Sequence, residues 1–210
     1  MGKKSLFAAL LLFLSLGFAG PASAQGLRLS LDGGASRPLG DAFDQFNWGY
    51  SLGANLFFNI TDNFQFGGRL AYNSWGPDEA EFLERIDPFD IVDTAEVEGR
   101  ATAVEVVPAI RLITTYPLSP INFFVHAGAG MYIFNTEITV NGNDENGNPI
   151  ERVFGDDTSY RFGAQVGAGL LIGSVRYFAI EIFPMLNWVF GNNDEAFNYW
   201  SINAGLGIGI

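Results

Sequence analysis

The chemistry open to this chain is limited by the side chains it lacks. It has no cysteine, so disulfides, iron–sulfur clusters, thiolate zinc sites and cysteine nucleophiles are excluded. His126 is the only histidine, so the chain lacks the ligands for most transition-metal sites and the side chains for most histidine-dependent catalytic triads. The formal net charge of -12 argues against binding to nucleic-acid phosphates, which requires clustered Lys and Arg. We therefore expect no cofactor, no metal site, no catalytic residue and no nucleic-acid partner.

A second group of candidate residues consists of charged side chains set singly within otherwise apolar or small-residue segments. Opposite charges of this kind form a polar network if the fold turns them toward one another, and such a network either fills an interior or lines a gated ion path. The residues in this group are Arg28, Arg69, Glu105, Arg111, Arg161 and Glu181.

The amino terminus, residues 1–24, has the pattern of a cleaved secretory signal peptide. Lys3 and Lys4 provide the positive start, 6–18 is an apolar run too short to span a bilayer comfortably, and 22–24 is a small-residue cleavage pattern. A retained membrane anchor is the less favoured alternative. Removal leaves 25–210 as one domain with no lysine, and no stretch in it is apolar and long enough for a membrane-spanning helix.

Alternation of apolar with small or polar residues marks the rest of the chain and predicts β-strands. In the clearest segment, 177–190, Phe178, Ile182 and Trp188 share one face while Glu181 and Asn187 share the other. Eight such segments occur, at 26–36, 48–58, 63–75, 100–113, 121–134, 161–172, 177–190 and 198–210.

The connections between these segments alternate in length. Short turns near 59–62, 114–120 and 173–176 separate longer connections at 37–47, 76–98, 135–157 and 191–197. This arrangement predicts an all-β fold, a closed antiparallel up-and-down barrel of eight transmembrane strands, with both termini at the short-turn end.

The same alternation would also suit a soluble lipocalin-like barrel, which has its apolar face inside. The non-apolar faces carry only four basic and three acidic residues, with Asp32 added to the six candidates above, and this is too few for a water-facing surface. Aromatic residues near the predicted strand ends suggest interfacial girdles. These are Trp48, Trp75, Trp188, Trp200, Tyr72 and Tyr199. We therefore expect the apolar face to meet lipid, although Pro108 and Pro184 each withhold a ladder N–H inside a strand.

The chain resembles the small outer-membrane β-barrels of the OmpA-like, OmpX-like and opacity-porin-like kind. The Gly-rich segments 124–130 and 163–169 are typical of that group. The carboxy terminus is similar to the signal read by the barrel assembly machinery, through Asn203, Gly205, Ile208 and Ile210, although the group usually ends in an aromatic residue. The resemblance implies insertion in the outer membrane of a bacterium with two membranes. We expect the chain to be a monomer among the outer-membrane lipids.

Three functions remain open. The favoured one is a non-enzymatic barrel with a plugged polar lumen and a structural or surface-interaction role. The alternative is a porin-like narrow channel or a carrier of a small apolar ligand. A lipid-modifying enzyme is less favoured, because the deacylase-like pattern needs serine two residues after the histidine and Gly128 stands there.

The long connections are strongly acidic: they hold 19 of the 23 Asp and Glu residues against three arginines. Carboxylate oxygens suit Ca²⁺ or Mg²⁺, but the segment 143–147 lacks the spacing of an EF-hand loop. The pairs Asn141-Gly142 and Asn146-Gly147 instead indicate hairpin turns. We expect solvated, self-repelling loops facing outward, and we keep divalent bridging to lipopolysaccharide or to a partner as the alternative.

Overall fold

The computed structural model describes residues 26–40, 45–81, 93–114, 120–143, 149–174, 177–191 and 196–210. The predicted signal peptide, 1–24, lies outside these residues and stays a prediction. The described residues form eight strands: β1 Leu27–Leu39, β2 Gly49–Asn59, β3 Phe64–Trp75, β4 Asp93–Ile113, β5 Ile121–Asn143, β6 Pro149–Gly173, β7 Phe178–Val189 and β8 Phe197–Gly209. Within them, no helix is long and apolar enough to cross a membrane.

The strands close into a barrel in which every strand pairs with its neighbour in the chain and β8 pairs with β1, always antiparallel. Following the register pairs once around the wall from Leu27 leads back to β1 at Arg37, ten residues further along. This stagger requires the strands to tilt by about 40° from the barrel axis. The N–H of Leu27 donates to Ile210 at 2.9 Å, so the two ends of the described barrel meet where the short turns lie. We call this the short-turn end and the opposite end the long-strand end.

The apolar face of each strand points outward. Leu31, Ile202 and Leu206 are among the exposed apolar side chains of the outer wall, at 61%, 46% and 53% exposure, while Arg28 and Asn203 are fully buried inside. The prediction that the apolar face lies outside is therefore confirmed, and the lipocalin-like arrangement is wrong for this chain.

Both in-strand prolines lie where the ladder toward one neighbouring strand is interrupted. The β4–β5 pairs skip Pro108, and the β6–β7 pairs skip Pro184, while each proline keeps its register partner on the other side. Facing glycines allow close approach there: a Cβ on Gly128 would lie 2.7 Å from the Pro108 carbonyl oxygen, and one on Gly167 would lie 2.8 Å from that of Pro184. The missing N–H groups therefore coincide with a gap in the ladder on one side of each proline, while the wall stays paired on the other side.

Three strands continue well past the others at the long-strand end. The predicted connections 76–98 and 135–157 are partly wrong, because β4 begins at Asp93 and the β5–β6 pairing runs out to the Asn143–Pro149 pair. The outer parts of β4, β5 and β6 form a three-stranded sheet, which we call the extension; it comprises 93–100, 135–143 and 149–158. A register shift near Thr136 and Ile138 places a β-bulge in β6. The extension carries much of the acidity that the sequence assigns to loops.

Candidate functional site

The interior of the barrel is the candidate site, since it gathers the charged residues that the sequence singles out. Six charged side chains, three positive and three negative, are buried on the inner face of the described strands. They are Arg28, Asp32, Arg69, Glu105, Arg111 and Glu181. Charges withdrawn from water are tolerated only when paired and hydrogen-bonded, so this balance is what the interior requires.

The half of the interior nearer the short-turn end is organised around Glu181 of β7. Its two carboxylate oxygens take different arginines: Oε1 accepts from Arg28 at 2.9 Å, and Oε2 accepts from Arg111 at 3.0 Å. The Arg111 guanidinium also lies 4.5 Å from the ring centre of Phe57 and 4.3 Å from that of Phe124. One carboxylate therefore joins β1, β4 and β7 across the lumen.

The middle of the interior is organised around Arg69 of β3. It makes a two-point ion pair with Asp32, through Nη1 at 2.7 Å and Nη2 at 2.9 Å. Its Nε lies 3.6 Å from Glu105, and Asn55 donates to Asp32 at 2.7 Å. A bidentate Arg–carboxylate pair fixes both position and orientation, so Arg69 holds β1, β3 and β4 in register.

Above Arg69, Glu105 receives further hydrogen bonds from side chains on the neighbouring strand β3 and on the opposite strand β8. The amide of Asn73 donates to its Oε1 at 2.6 Å, and the hydroxyl of Tyr199 donates to the same oxygen at 2.5 Å. Tyr132 donates to Asn187 at 3.2 Å in the neighbouring part of the interior. These bonds link β3, β4 and β8, and β5 with β7, across the lumen.

Apolar side chains close the interior toward the long-strand end. The rings of Trp75, Phe197 and Tyr199 pack with centroid separations between 5.2 and 5.7 Å. Phe46 and the inner face of the extension, through Ile138 and Val140, belong to the same buried cluster. We call this set the aromatic plug. Its members are buried against one another between the polar network and the long-strand end of the barrel.

His126 lies in the interior rather than on the lipid-facing wall. It is fully buried, its Nε2 lies 2.7 Å from the amide nitrogen of Gln165, and its ring meets Phe57 edge-on at 5.9 Å. The space beside Gly128 is filled as well, since a Cβ there would lie 2.7 Å from both the Pro108 oxygen and a Val107 methyl. A serine at 128 would therefore clash, and the surroundings of His126 are those of a packed structural residue.

Two details of the predicted network differ from the structure. Arg161 is only partly buried; its guanidinium lies 5.9 Å from the ring of Phe134 at the mouth, and none of the ion pairs formed by described residues includes it. Asp32 is absent from the predicted network although it is the main partner of Arg69. The charge imbalance of the six predicted residues, four positive and two negative, was the available signal that a carboxylate was missing.

Four of the six residues predicted to form the girdle lie on the outer wall. Trp48 and Trp200 meet edge-on at 5.0 Å on the outer wall, where Trp188 and Tyr72 also lie. Trp75 and Tyr199 are wrong, because both are fully buried in the aromatic plug. Alternation places both residues on the inner face, and a position near a strand end does not change the face to which a side chain points.

The residues of the predicted assembly signal occupy two faces of β8. Asn203 and Gly205 lie on the inner face, where a Cβ on Gly205 would lie 2.7 Å from the Cβ of Asp32. Ile208 and Ile210 point outward and are exposed. Among the described residues, no cluster of three or more His, Cys, Asp or Glu could hold a metal ion.

The comparisons with known proteins find proteins of similar fold but none of similar sequence. No family model and no curated protein matches the chain. Neisserial surface protein A is similar in structure, with a TM-score of 0.53 at 9% identity over 87% of this chain and 96% of that one. The N-terminal barrel domain of Pseudomonas aeruginosa OprF has a lower TM-score of 0.38, at 16% identity over 89% of this chain and 100% of that one. The Yersinia pestis protein Ail has a TM-score of 0.44, at 16% identity over the same shares of the two chains. The fold is that of the small eight-stranded outer-membrane β-barrels.

Proposed function

We propose that this chain is a non-enzymatic protein of the bacterial outer membrane, with a sealed lumen and a surface-interaction role carried by the extension. The observation that carries the proposal is the inverted polarity of the wall. Leucine and isoleucine side chains are exposed all around the barrel, whereas every buried charge points inward. In water such a surface would drive aggregation, and in lipid it is the stable arrangement.

The height of the apolar wall supports this placement. Ten residues of a strand tilted by about 40° rise about 25 Å, which is the height of the apolar band of outer-membrane barrels. Leu27 and Arg37 mark this interval on β1, and Trp48, Trp188 and Trp200 lie on the outer wall toward the long-strand end. Interfacial tryptophans anchor a barrel at the headgroups. The extension then stands clear of the membrane, opposite the end where the strand termini meet.

The interior contacts support a plugged lumen. An eight-stranded barrel leaves room for little more than its own side chains. Here Arg69, Arg111 and Glu181 bridge strands across it, and the aromatic plug covers the network toward the mouth. Ion passage would require these pairs to separate, which is costly for buried charges. The same packing supports a structural role for His126 rather than the chemistry of a lipid-modifying enzyme.

Two further parts of the proposal concern partners. The barrel assembly machinery reads the terminal strand through Asn203, Gly205, Ile208 and Ile210, and the folded chain is a monomer among outer-membrane lipids. The acidic residues beyond the apolar band are hydrated and self-repelling, with divalent bridging to lipopolysaccharide as the lesser alternative.

The placement is tested by expressing the chain and locating it in membrane fractions. We expect it in the outer membrane, migrating on a denaturing gel at a position that changes on boiling, as folded barrels do. Recovery as a soluble periplasmic protein would refute the placement.

The sealed lumen is tested separately in planar bilayers. We expect no stable single-channel current from the folded protein. A matched variant, Trp75→Ala with Phe197→Ala, loosens the aromatic plug without altering the outer wall. A stable current from the unmodified protein would refute the plug and favour the channel.

A further inference from the structure

Two arginines point outward among the side chains that the structure describes, Arg37 on β1 and Arg100 on β4, and both are exposed. Arg100 faces Glu137 across the β4–β5 ladder, so an exposed carboxylate lies opposite it on the same face. Arg37 faces Trp200 across the β1–β8 ladder, and none of the ion pairs formed by described residues includes it. Arg37 is therefore an exposed cation that lies opposite an aromatic ring rather than a carboxylate.

Two tryptophan rings flank Arg37 on the outer wall. Trp48 comes directly before β2 and Trp200 lies on β8, so β1 runs between them. Strands two places apart in a sheet are separated by about 9–10 Å. The two rings nevertheless meet edge-on with centroids 5.0 Å apart, and therefore lean toward each other over β1. The Arg37 guanidinium lies 6.0 Å from the centre of the Trp48 ring, at the limit of a cation–π contact, so the three side chains form one cluster.

The position of Arg37 along β1 sets its depth in the membrane. Arg37 follows Leu27 by ten residues, and ten residues of a tilted strand rise about 25 Å, the height of the apolar band. Tryptophan rings favour the same border between hydrocarbon and headgroups. A guanidinium at this depth lies among the phosphate groups of the lipids, beyond the acyl chains.

We propose that Arg37, Trp48 and Trp200 form a site for the phosphate group of an anionic lipid in the leaflet at the long-strand end. This inference rests on the membrane placement proposed above and adds a ligand to it. The planar guanidinium can donate two parallel N–H bonds to a phosphate, as it does to a carboxylate. The indole rings contact the apolar part of the lipid next to its headgroup, and their N–H groups are further donors at that level.

The charge of the whole chain supports a single local site. The formal net charge of -12 repels anionic lipids from the protein in general. Binding of such a lipid therefore requires a positive group at headgroup depth that no carboxylate neutralises. Among the described residues of the outer wall, Arg37 meets this requirement, whereas Arg100 faces Glu137. We expect one bound lipid per barrel rather than a shell of them.

The experiment uses the protein purified in non-ionic detergent and dioleoyl phosphatidic acid as the probe. Native mass spectrometry counts the lipid molecules that remain bound to each folded barrel. We expect one phosphatidic acid per barrel, bound at least about tenfold more tightly than dioleoyl phosphatidylcholine, which has the same acyl chains but no net charge. Equal affinities for the two lipids would overturn the proposal. Inorganic phosphate at the same concentration should not displace the lipid, and displacement would show an anion site instead of a lipid site.

The role of the cluster is tested with Arg37→Gln, and Arg100→Gln is the matched control at the other outward arginine. We expect Arg37→Gln to bind phosphatidic acid about tenfold more weakly, the effect of a lost charge-assisted hydrogen bond, and Arg100→Gln to bind like the unmodified protein. Trp48→Leu keeps an apolar side chain but removes the ring and its N–H, and should also weaken binding. Equal affinities in the two glutamine variants would overturn the site.

Folding and placement are measured separately from lipid binding. Each variant is compared with the unmodified protein by the change of its gel migration on boiling, so that a loss of binding is read only from folded barrels. Absence of lipid selectivity in a folded barrel recovered from the outer membrane would refute this site and leave the placement intact. Recovery of the chain as a soluble protein would refute both.

Discussion

Tyr199 on β8 donates its hydroxyl hydrogen to Glu105 on β4 at 2.5 Å, across the full width of the barrel interior. Both residues are buried, and the carboxylate oxygen that accepts this bond also accepts from Asn73. Because β4 and β8 are not neighbours in the sheet, the contact is a crosslink through the lumen rather than part of the wall. It joins the aromatic plug above it to the polar network below.

Removing this hydroxyl should destabilise the folded barrel. Tyr199→Phe keeps the ring packed against Trp75 but withdraws one donor from a buried carboxylate, and hydrogen bonds to charged groups contribute about 1.5–3 kcal/mol. We expect a loss of that size in the free energy of unfolding, measured by urea titration in lipid vesicles. Tyr160→Phe is the control, since Tyr160 is exposed on the outer wall and should change stability by less than about 0.5 kcal/mol. Equal effects would contradict the crosslink.

A second prediction concerns the glycine beneath Arg69. A Cβ on Gly53 would lie 2.6 to 2.7 Å from three atoms of the Arg69 guanidinium, which Asp32 holds in place. Gly53→Ala should therefore push Arg69 out of its ion pair and destabilise the barrel by about 1–3 kcal/mol, the usual cost of overpacking.

Gly76→Ala is the control for this substitution, since a Cβ there would meet nothing within 4 Å. It should leave unfolding in urea nearly unchanged. If Gly53→Ala proves equally neutral, Arg69 is not fixed in the position described.

The alternation of the sequence was enough to predict eight strands, their antiparallel order and the outward apolar face. A single-residue slip would exchange the two faces, so a strand such as 177–190 carries its own orientation. The lumen residues Arg28, Arg69, Arg111 and Glu181 followed from the same rule. The ion-pair partners of these residues could not be predicted, because ion pairing depends on how far each side chain reaches across the lumen and not on the face of the strand it occupies.

The sequence did not predict the strands of the extension, and the reason is physical. Beyond the apolar band neither face meets lipid, so alternation weakens and Glu137, Asn141 and Glu151 give the composition of a loop. What holds these residues in strands is tertiary: the backbone ladder between β5 and β6, and Ile138 and Val140 buried against the aromatic plug. Strand propensity depends strongly on such context.

A third prediction concerns Glu181, the only carboxylate that the described contacts place on both Arg28 and Arg111. Glu181→Gln removes the negative charge that both buried guanidinium groups contact, and breaking a buried pair from one side costs about 3–5 kcal/mol. We expect a loss of this size in urea unfolding. Glu98→Gln, at an exposed position, should have an effect below about 0.5 kcal/mol. Adding Arg111→Met to Glu181→Gln should restore part of the stability, and additive losses would show that the two residues do not interact.

The last prediction separates the lipid-facing wall from the extension. Leu31 and Val153 are almost equally exposed, at 61% and 59%, yet Leu31 lies in the middle of the apolar band and Val153 lies far beyond it. Arginine facing the bilayer midplane costs about 2–4 kcal/mol, falling to about 0–1 kcal/mol near the interfaces. Leu31→Arg should therefore lower the free energy of unfolding in lipid vesicles by the larger amount, about 2–4 kcal/mol.

Val153→Arg should lower the free energy of unfolding by no more than about 0–1 kcal/mol, because the side chain at 153 is in water before and after folding. Since exposure and residue class are matched, depth in the membrane is the variable that remains. The measurement is repeated in detergent micelles, where the cost for Leu31→Arg should shrink as its surroundings become more hydrated. Equal costs for the two arginines in vesicles would mean that the outer wall does not face a bilayer.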